Sequence, residues 1–201
     1  WAGEFDSKDA TIFDAVEFKA RVVAVSGAAA KEESRPILTT IEFSSPPVGD
    51  TVAIAAADGF RLYAGALQAR GQLAKSIPIP AFSVKDSVYG HTGIADWAKK
   101  LKVKPGDIVV LRPGLERATF DLFTKGKGGW EHKIGHDGFP VIQGTFPNYH
   151  QLIPEKGNQN TISVDRDAFL KAVKDFPKFK KGEPAIIRLA YKDNSLVVHA
   201  V

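Results

Sequence analysis

Four side chains have the types that hold a metal or move a proton: His132, His136, Asp137 and His150. Two histidines four residues apart share one face if their segment is a helix, and zinc sites are often built that way. Here Gly128, Gly129, Gly135 and Gly138 crowd the same stretch, and glycine at that density argues against a helix. The segment reads instead as strand and turn, with no ligand cage. No nucleophile elbow, phosphate-binding loop or Gly-x-Gly-x-x-Gly fingerprint occurs in the sequence. There is no Cys, which excludes disulfides, thiolate chemistry and cysteine metal sites. No catalytic residue, metal or cofactor is expected.

A second set of residues suits binding. Basic side chains recur on the polar sides of three helical stretches: Arg21, then Lys99, Lys100 and Lys102, then Lys171 and Lys174. A lysine on an exposed helix face is often simply solvated. Three such faces also fit a phosphate backbone, which is bound through charge without base reading. The formal charge of +4 and a pI near 9.2 lean toward polyanions without deciding between these readings.

The elements that carry these residues follow from periodicity. Thr11–Phe13 reads as a strand. A helix follows from about Val16 to Ala29, with Phe18, Val22, Val25 and Ala29 on one face. Ile37 to Phe43 and Thr51 to Ala57 read as strands. The Asp58-Gly59 pair then turns the chain into a strand from Phe60 to Ala64. Pro78 and Pro80 suit an edge strand over residues 77–82. Ser83 to Gly93 reads as a loop, and Thr92 as the N-cap of a helix to Lys102, with Ile94, Trp97, Ala98 and Leu101 inward. Strands are expected over 108–111, 118–123 and 129–134. The order β-α-β-β-β thus occurs twice, as a repeat of pattern and not of residues.

A third such unit begins after a polar linker. It comprises a strand at Thr161–Val164, a helix from Asp165 to Phe176 and strands at 185–191 and 196–201 around Asp193-Asn194. A chain of 201 residues is long enough for a real core and one to two domains. It starts at Trp1 and contains no Met, so a fragment, or a chain with modified residues omitted, is expected. No apolar run reaches the roughly 18 residues of a membrane span. The first residues lack a signal peptide's pattern, so a cytoplasmic protein is the default.

One stretch ties the units together: Thr145-Phe146-Pro147-Asn148-Tyr149-His150-Gln151-Leu152-Ile153-Pro154. Its prolines stiffen it and bias Phe146 and Ile153 toward extended backbone. Taken by itself it is either a linker with anchoring aromatics or a recognition surface. Phe146-Pro147-Asn148-Tyr149-His150-Gln151-Leu152-Ile153-Pro154 resembles the Phe-Pro-Asp-Tyr-basic-basic-aliphatic-aliphatic-Pro run of the bacterial DNA polymerase III beta subunit, the replicative sliding clamp. In that family the run closes the middle of three domains. Ala57-Asp58-Gly59-Phe60-Arg61-Leu62 resembles its Thr-Asp-Gly-His-Arg-Leu turn. Phe18 to Phe43, with Ser34-Arg35-Pro36-Ile37-Leu38-Thr39, resembles the start of its middle domain. The departures are Ala57 for Thr, Phe60 for His, His150-Gln151 for two basic residues, a long 64–93 region, and a basic chain where clamps are usually acidic.

The resemblance implies an α+β DNA-clamp (processivity-fold) domain made of two β-α-β-β-β units, with helices on one face of antiparallel sheets. Residues 1–155 would be a middle-type domain and 156–201 an incomplete C-terminal-type one. It also implies a non-catalytic sliding clamp, or a piece of one, forming a homo-oligomeric ring around duplex DNA. Arg21, Lys99, Lys100, Lys102, Lys171 and Lys174 would face that DNA. Peptides of the DNA polymerase, clamp loader and repair partners would enter a pocket of Ala57, Gly59, Phe60, Arg61, Leu62, Pro147, Gln151 and Leu152. The alternatives are a clamp-like peptide-binding module that closes no ring, and a pocket whose leucines are core and whose Arg61 pairs with a neighbouring carboxylate.

Overall fold

The computed structural model describes residues 10–32, 34–45, 49–84, 91–153, 161–174 and 187–200. The chain falls into two compact units, one ending at Tyr149 and the other starting at His150.

In the first unit the chain order is β1 (Thr11–Asp14), α1 (Ala15–Val25), β2 (Thr40–Ser44), β3 (Thr51–Ala57), β4 (Leu62–Arg70), β5 (Ile77–Pro80), α2 (Ile94–Lys100), β6 (Ile108–Arg112), β7 (Arg117–Gly126) and β8 (Gly129–Pro140). This is β-α-β-β-β twice, as the sequence pattern predicts. The strands join in one antiparallel sheet ordered β5-β2-β3-β4-β1-β6-β7-β8. The two repeats exchange their first strands. β1 lies between β4 and β6, and β5 pairs with β2. β5 holds the edge position that its prolines require, since neither can donate to a ladder. The Pro78 carbonyl accepts a hydrogen bond from the Ile142 N–H at 3.0 Å, just beyond β8.

Both helices cover the same face. Strand side chains of that face, including Phe43, Ile54, Leu67, Leu111, Phe120 and Phe139, form one buried cluster with Phe18, Val22 and Val25 of α1 and Ile94, Trp97 and Ala98 of α2. Phe18 is its hub. Its ring lies 5.4 Å from Phe13, 5.7 Å from Phe120, 6.3 Å from Phe43 and 6.4 Å from Trp97, centroid to centroid. One aromatic side chain therefore couples α1 to β1, β2, β7 and α2. Asp14 caps α1, its Oδ1 accepting from the Glu17 N–H at 2.8 Å. The Lys19 Nζ donates to the Leu101 carbonyl at 2.8 Å, fastening α1 to the residue that ends α2.

Several elements differ from the sequence expectation. α1 stops at Val25 and tightens into a 3-10 turn over Ser26–Ala28. Pro36–Thr39 is a 3-10 turn and not the start of a strand, so β2 begins only at Thr40. Thr92 does not cap α2. Gly93 does, and the Ala95 N–H is satisfied by the Ala81 carbonyl at 3.0 Å. A Cβ on Gly93 would lie 2.2 Å from the Phe82 backbone, so this approach of helix to strand end admits glycine alone. β7 and β8 run longer than expected and carry register shifts, with His132 to Gly138 inside a strand.

The second unit contains a 3-10 turn (His150–Leu152), α3 (Arg166–Lys174) and the hairpin of β9 (Ile187–Lys192) and β10 (Ser195–Ala200). Asp165 Oδ1 accepts from the Ala168 N–H at 2.7 Å, the cap expected for α3. Asp193 and Asn194 take φ of 49° and 56°, the positive pair that a two-residue hairpin turn demands. Thr161–Val164 is exposed and irregular, where a strand was expected. Among the described residues no helix is long and apolar enough to cross a membrane.

Candidate partner groove and nucleic-acid interface

The β3–β4 turn is built by one carboxylate. Asp58 Oδ1 accepts from the N–H groups of Arg61 at 2.7 Å and Phe60 at 2.9 Å. Its Oδ2 takes the Arg61 Nη2 at 2.7 Å and Nε at 2.9 Å. These bonds, the Arg61 N–H first, hold the Asp58 pKa down to about 2. Gly59 supplies the φ of 92° that the turn needs. Arg61 is thus bidentate to Asp58, as one reading of the sequence had it. Phe60 stands at the apex with 99% of its surface exposed.

Beyond the turn, Ala57 and Leu62 face each other across the hairpin. β3 alternates. Val52, Ile54 and Ala56 point to the helix side, whereas Ala55 and Ala57 point outward. There Ala55 forms a small apolar cluster with buried Phe146 and Tyr149, flanked by Ile37, Ala57 and Leu62. The rings of Phe146 and Tyr149 meet edge to face, 6.2 Å apart. Burial, then the nearby Glu42 charge, raises the Tyr149 pKa. So residues 146–149 lie on the outer face of the sheet, on alanines small enough to admit two rings. The turn and the start of the 145–154 run, far apart in sequence, are neighbours.

Of the eight residues expected to form one pocket, Ala57 and Leu62 share this apolar cluster. Pro147, between its two rings, is exposed. Gly59, Phe60 and Arg61 line a separate cleft of about 590 Å³. Its opposite wall includes Lys31, Glu32, Ser34, Arg35 and Leu38. The stretch between the expected helix, ending at Ala29, and the expected strand, starting at Ile37, received no role from the sequence. Its one signal is a dense run of charges between a helix and an Arg-Pro pair, and nothing in it says what it faces. Gln151 and Leu152 belong to the second unit, where Leu152 is 69% exposed. A larger apolar hollow, about 630 Å³ among Pro36, Pro80, Phe82, Pro140 and Ile142, contains none of the eight.

Arg21, Lys99 and Lys100 lie on exposed helix surface, whereas Lys102, expected within the second helix, lies exposed beyond α2, which ends at Lys100. Arg21 stands 3.8 Å from Glu17, one turn away. Lys99 pairs with Asp96 at 3.4 Å and lies over the Phe82 ring, 5.8 Å from its centroid. Lys100 and Lys102 are exposed and make no ion pair among the described residues. Lys171 and Lys174 are exposed on α3 of the second unit. No group of three metal-ligating side chains occurs among the described residues. His132 instead meets Asp121 at 3.1 Å, and Arg112 shares that carboxylate at 2.8 Å.

Two β-α-β-β-β repeats in one antiparallel sheet, with both helices on one face, define an α+β clamp-like fold. Solved structures agree over the length of the chain. A sliding clamp, the DNA polymerase III subunit beta of Bartonella birtlesii bound to griselimycin, matches with a TM-score of 0.72 at 20% identity, covering 98% of this chain and 48% of that one. The DNA polymerase sliding clamp of Bacillus subtilis matches at 0.69 and 18% identity, covering 100% and 50%. The DNA polymerase III subunit beta of Pseudomonas aeruginosa matches at 0.67 and 17%, covering 100% and 53%. The chain therefore has the fold of about half of a bacterial sliding clamp and spans about half the length of the clamps it matches. No family model matches the sequence, and no curated protein does.

Proposed function

We propose that this chain acts without catalysis as part of a sliding clamp that encircles duplex DNA and captures short peptides of replication and repair proteins. The observation that carries the reading is the helix pair. α1 and α2 bury their apolar sides together on one face of the sheet and turn Arg21, Lys99 and Lys100 outward. Such a face binds phosphates of any sequence and lets a protein slide. In this reading residues 1–155 are a middle-type domain and 156–201 the opening of a C-terminal-type domain. The homo-oligomeric ring belongs to the whole protein, and Lys102, Lys171 and Lys174 add to its lining.

The partner pocket comprises Ala57, Gly59, Phe60, Arg61, Leu62, Pro147, Gln151 and Leu152. Its support is the apolar cluster under the turn together with the exposed Phe60 and Leu152. The test uses the protein in its full source form, loaded on nicked circular duplex. It should stay on the circle through a gel-filtration column and slip off after the circle is cut. Lys99→Glu with Lys100→Glu should reduce retention while shifting stability by no more than about 0.5 kcal/mol. Equal retention on linear and circular DNA removes the ring. Peptide binding without topological retention would assign a clamp-like module instead.

A further inference from the structure

A second cationic site lies away from the helix face. Where β6 begins and the β7–β8 hairpin closes, a cavity of about 350 Å³ is walled by Lys104, Pro105, Gly106, Asp107, Lys125 and Trp130. Asp107 is fully buried. Its Oδ2 accepts from the Lys104 N–H at 3.0 Å and draws the Lys133 Nζ to 3.6 Å. Burial would raise the Asp107 pKa. The neighbouring Thr124 hydroxyl, the Lys104 N–H and the Lys133 charge outweigh it, and the group stays ionised. Neither Asp107 Oδ1 nor the buried Thr124 hydroxyl completes a well-formed hydrogen bond among the described residues. The Lys104–Asp107 turn is closed by the Asp107 N–H on the Lys104 carbonyl at 3.1 Å, which fixes the base of the Lys104 side chain. The charges of Lys133 and Lys104 thus act on one buried carboxylate, Lys125 lines the same cavity, and a half-buried indole forms the adjoining wall.

Excess positive charge beside an aromatic face selects an anion that also carries a flat ring. We propose that this cavity binds a nucleotide of single-stranded DNA, with its phosphate held by Lys104 and Lys125 and its base against Trp130. Single-strand sites combine these two features, because every base offers a π-face whatever its identity. A duplex keeps its bases stacked inside and offers only the phosphate. The site shares with the proposed clamp function the class of partner and needs no ring.

Fluorescence anisotropy of a labelled short oligothymidylate, measured with the protein in its full source form, tests it. Lys104→Glu with Lys125→Glu should weaken binding by about tenfold or more at low salt. Trp130→Phe should keep most of the affinity, and Trp130→Ala should lose it. Lys75→Glu with Lys192→Glu, an equal charge change on exposed residues elsewhere, should change binding less than about twofold. Circular-dichroism melting shows that each variant folds, with Lys104→Gln and Lys125→Gln as milder substitutes. Equal losses in the two charge-reversal pairs would overturn the site as general attraction. Competition by a duplex of the same length as well as by the single strand would overturn it too, as would thymidine monophosphate competing equally with the strand. None of these outcomes alters retention on circular duplex, which Lys99 and Lys100 govern, so failure here and failure of the clamp reading are separable.

Discussion

Asp58 closes the β3–β4 turn with all the acceptor capacity of one carboxylate, two bonds to backbone N–H groups and two to a guanidinium. Its pKa falls to about 2 in the folded chain, below the usual carboxylate value near 3.9. The group therefore contributes stability that is fully present above its unfolded pKa and is lost as pH falls through the folded one. Between about pH 4 and pH 2 the turn should loosen. An NMR titration should show the Asp58 carboxyl carbon with a midpoint near 2, and Asp58→Asn should abolish the acid sensitivity of the Phe60 and Arg61 amides. Because Arg61 is committed to Asp58, Arg61→Ala should disturb the turn before it disturbs a bound peptide. Leu152, largely exposed, should behave in the opposite way. Leu152→Ala should weaken a clamp-binding peptide by about 1–2 kcal/mol while the melting temperature holds.

Among the elements, α2 shows what a sequence can and cannot disclose. Ile94, Trp97, Ala98 and Leu101 announce its inward face by spacing, and all are buried. Its start was misread because Thr92 looks like a cap, while the cap actually used depends on the Ala81 carbonyl and the Phe82 backbone, contributed by another element. Gly93→Ala should therefore cost about 2 kcal/mol or more, measured by urea unfolding, since backbone on both sides must yield. Phe18→Ala should cost about 3–5 kcal/mol, because four aromatic neighbours lose their hub. β-α-β-β-β order and the edge place of β5 were legible, since period and proline are local signals. The exchange of first strands between repeats was not, because pairing is long-range. At the candidate site the Asp-Gly turn and the Phe-Pro run could be read directly. That Lys31, Glu32, Ser34 and Arg35 wall a cleft with Phe60 could not, because a charged loop carries no periodicity to say what it meets.

Across the whole molecule the two units differ in kind. The first has an extended aromatic and aliphatic core. In the second, no described residue is buried, and Leu189, Tyr191 and Val197 are exposed by 53%, 57% and 38%. Local stability follows buried contact. Amides of β3 and β4 should thus exchange with the free energy of global unfolding, while those of β9 and β10 exchange orders of magnitude faster in this 201-residue chain. Comparable protection in the two sets would show that the hairpin gains cover from elsewhere.

The seating of Phe146 and Tyr149 on Ala55 also bears on how the chain carries mechanical load. Tyr149 is the last residue of the first unit, so tension applied through the second unit reaches these two rings before any strand of the sheet. They pack against small alanines and not into a strand ladder, and such a contact peels at lower force than a ladder of hydrogen bonds shears. The 146–149 segment is therefore the place where the first unit would give first under pull, and its release would lengthen the connection while leaving the eight-stranded sheet whole.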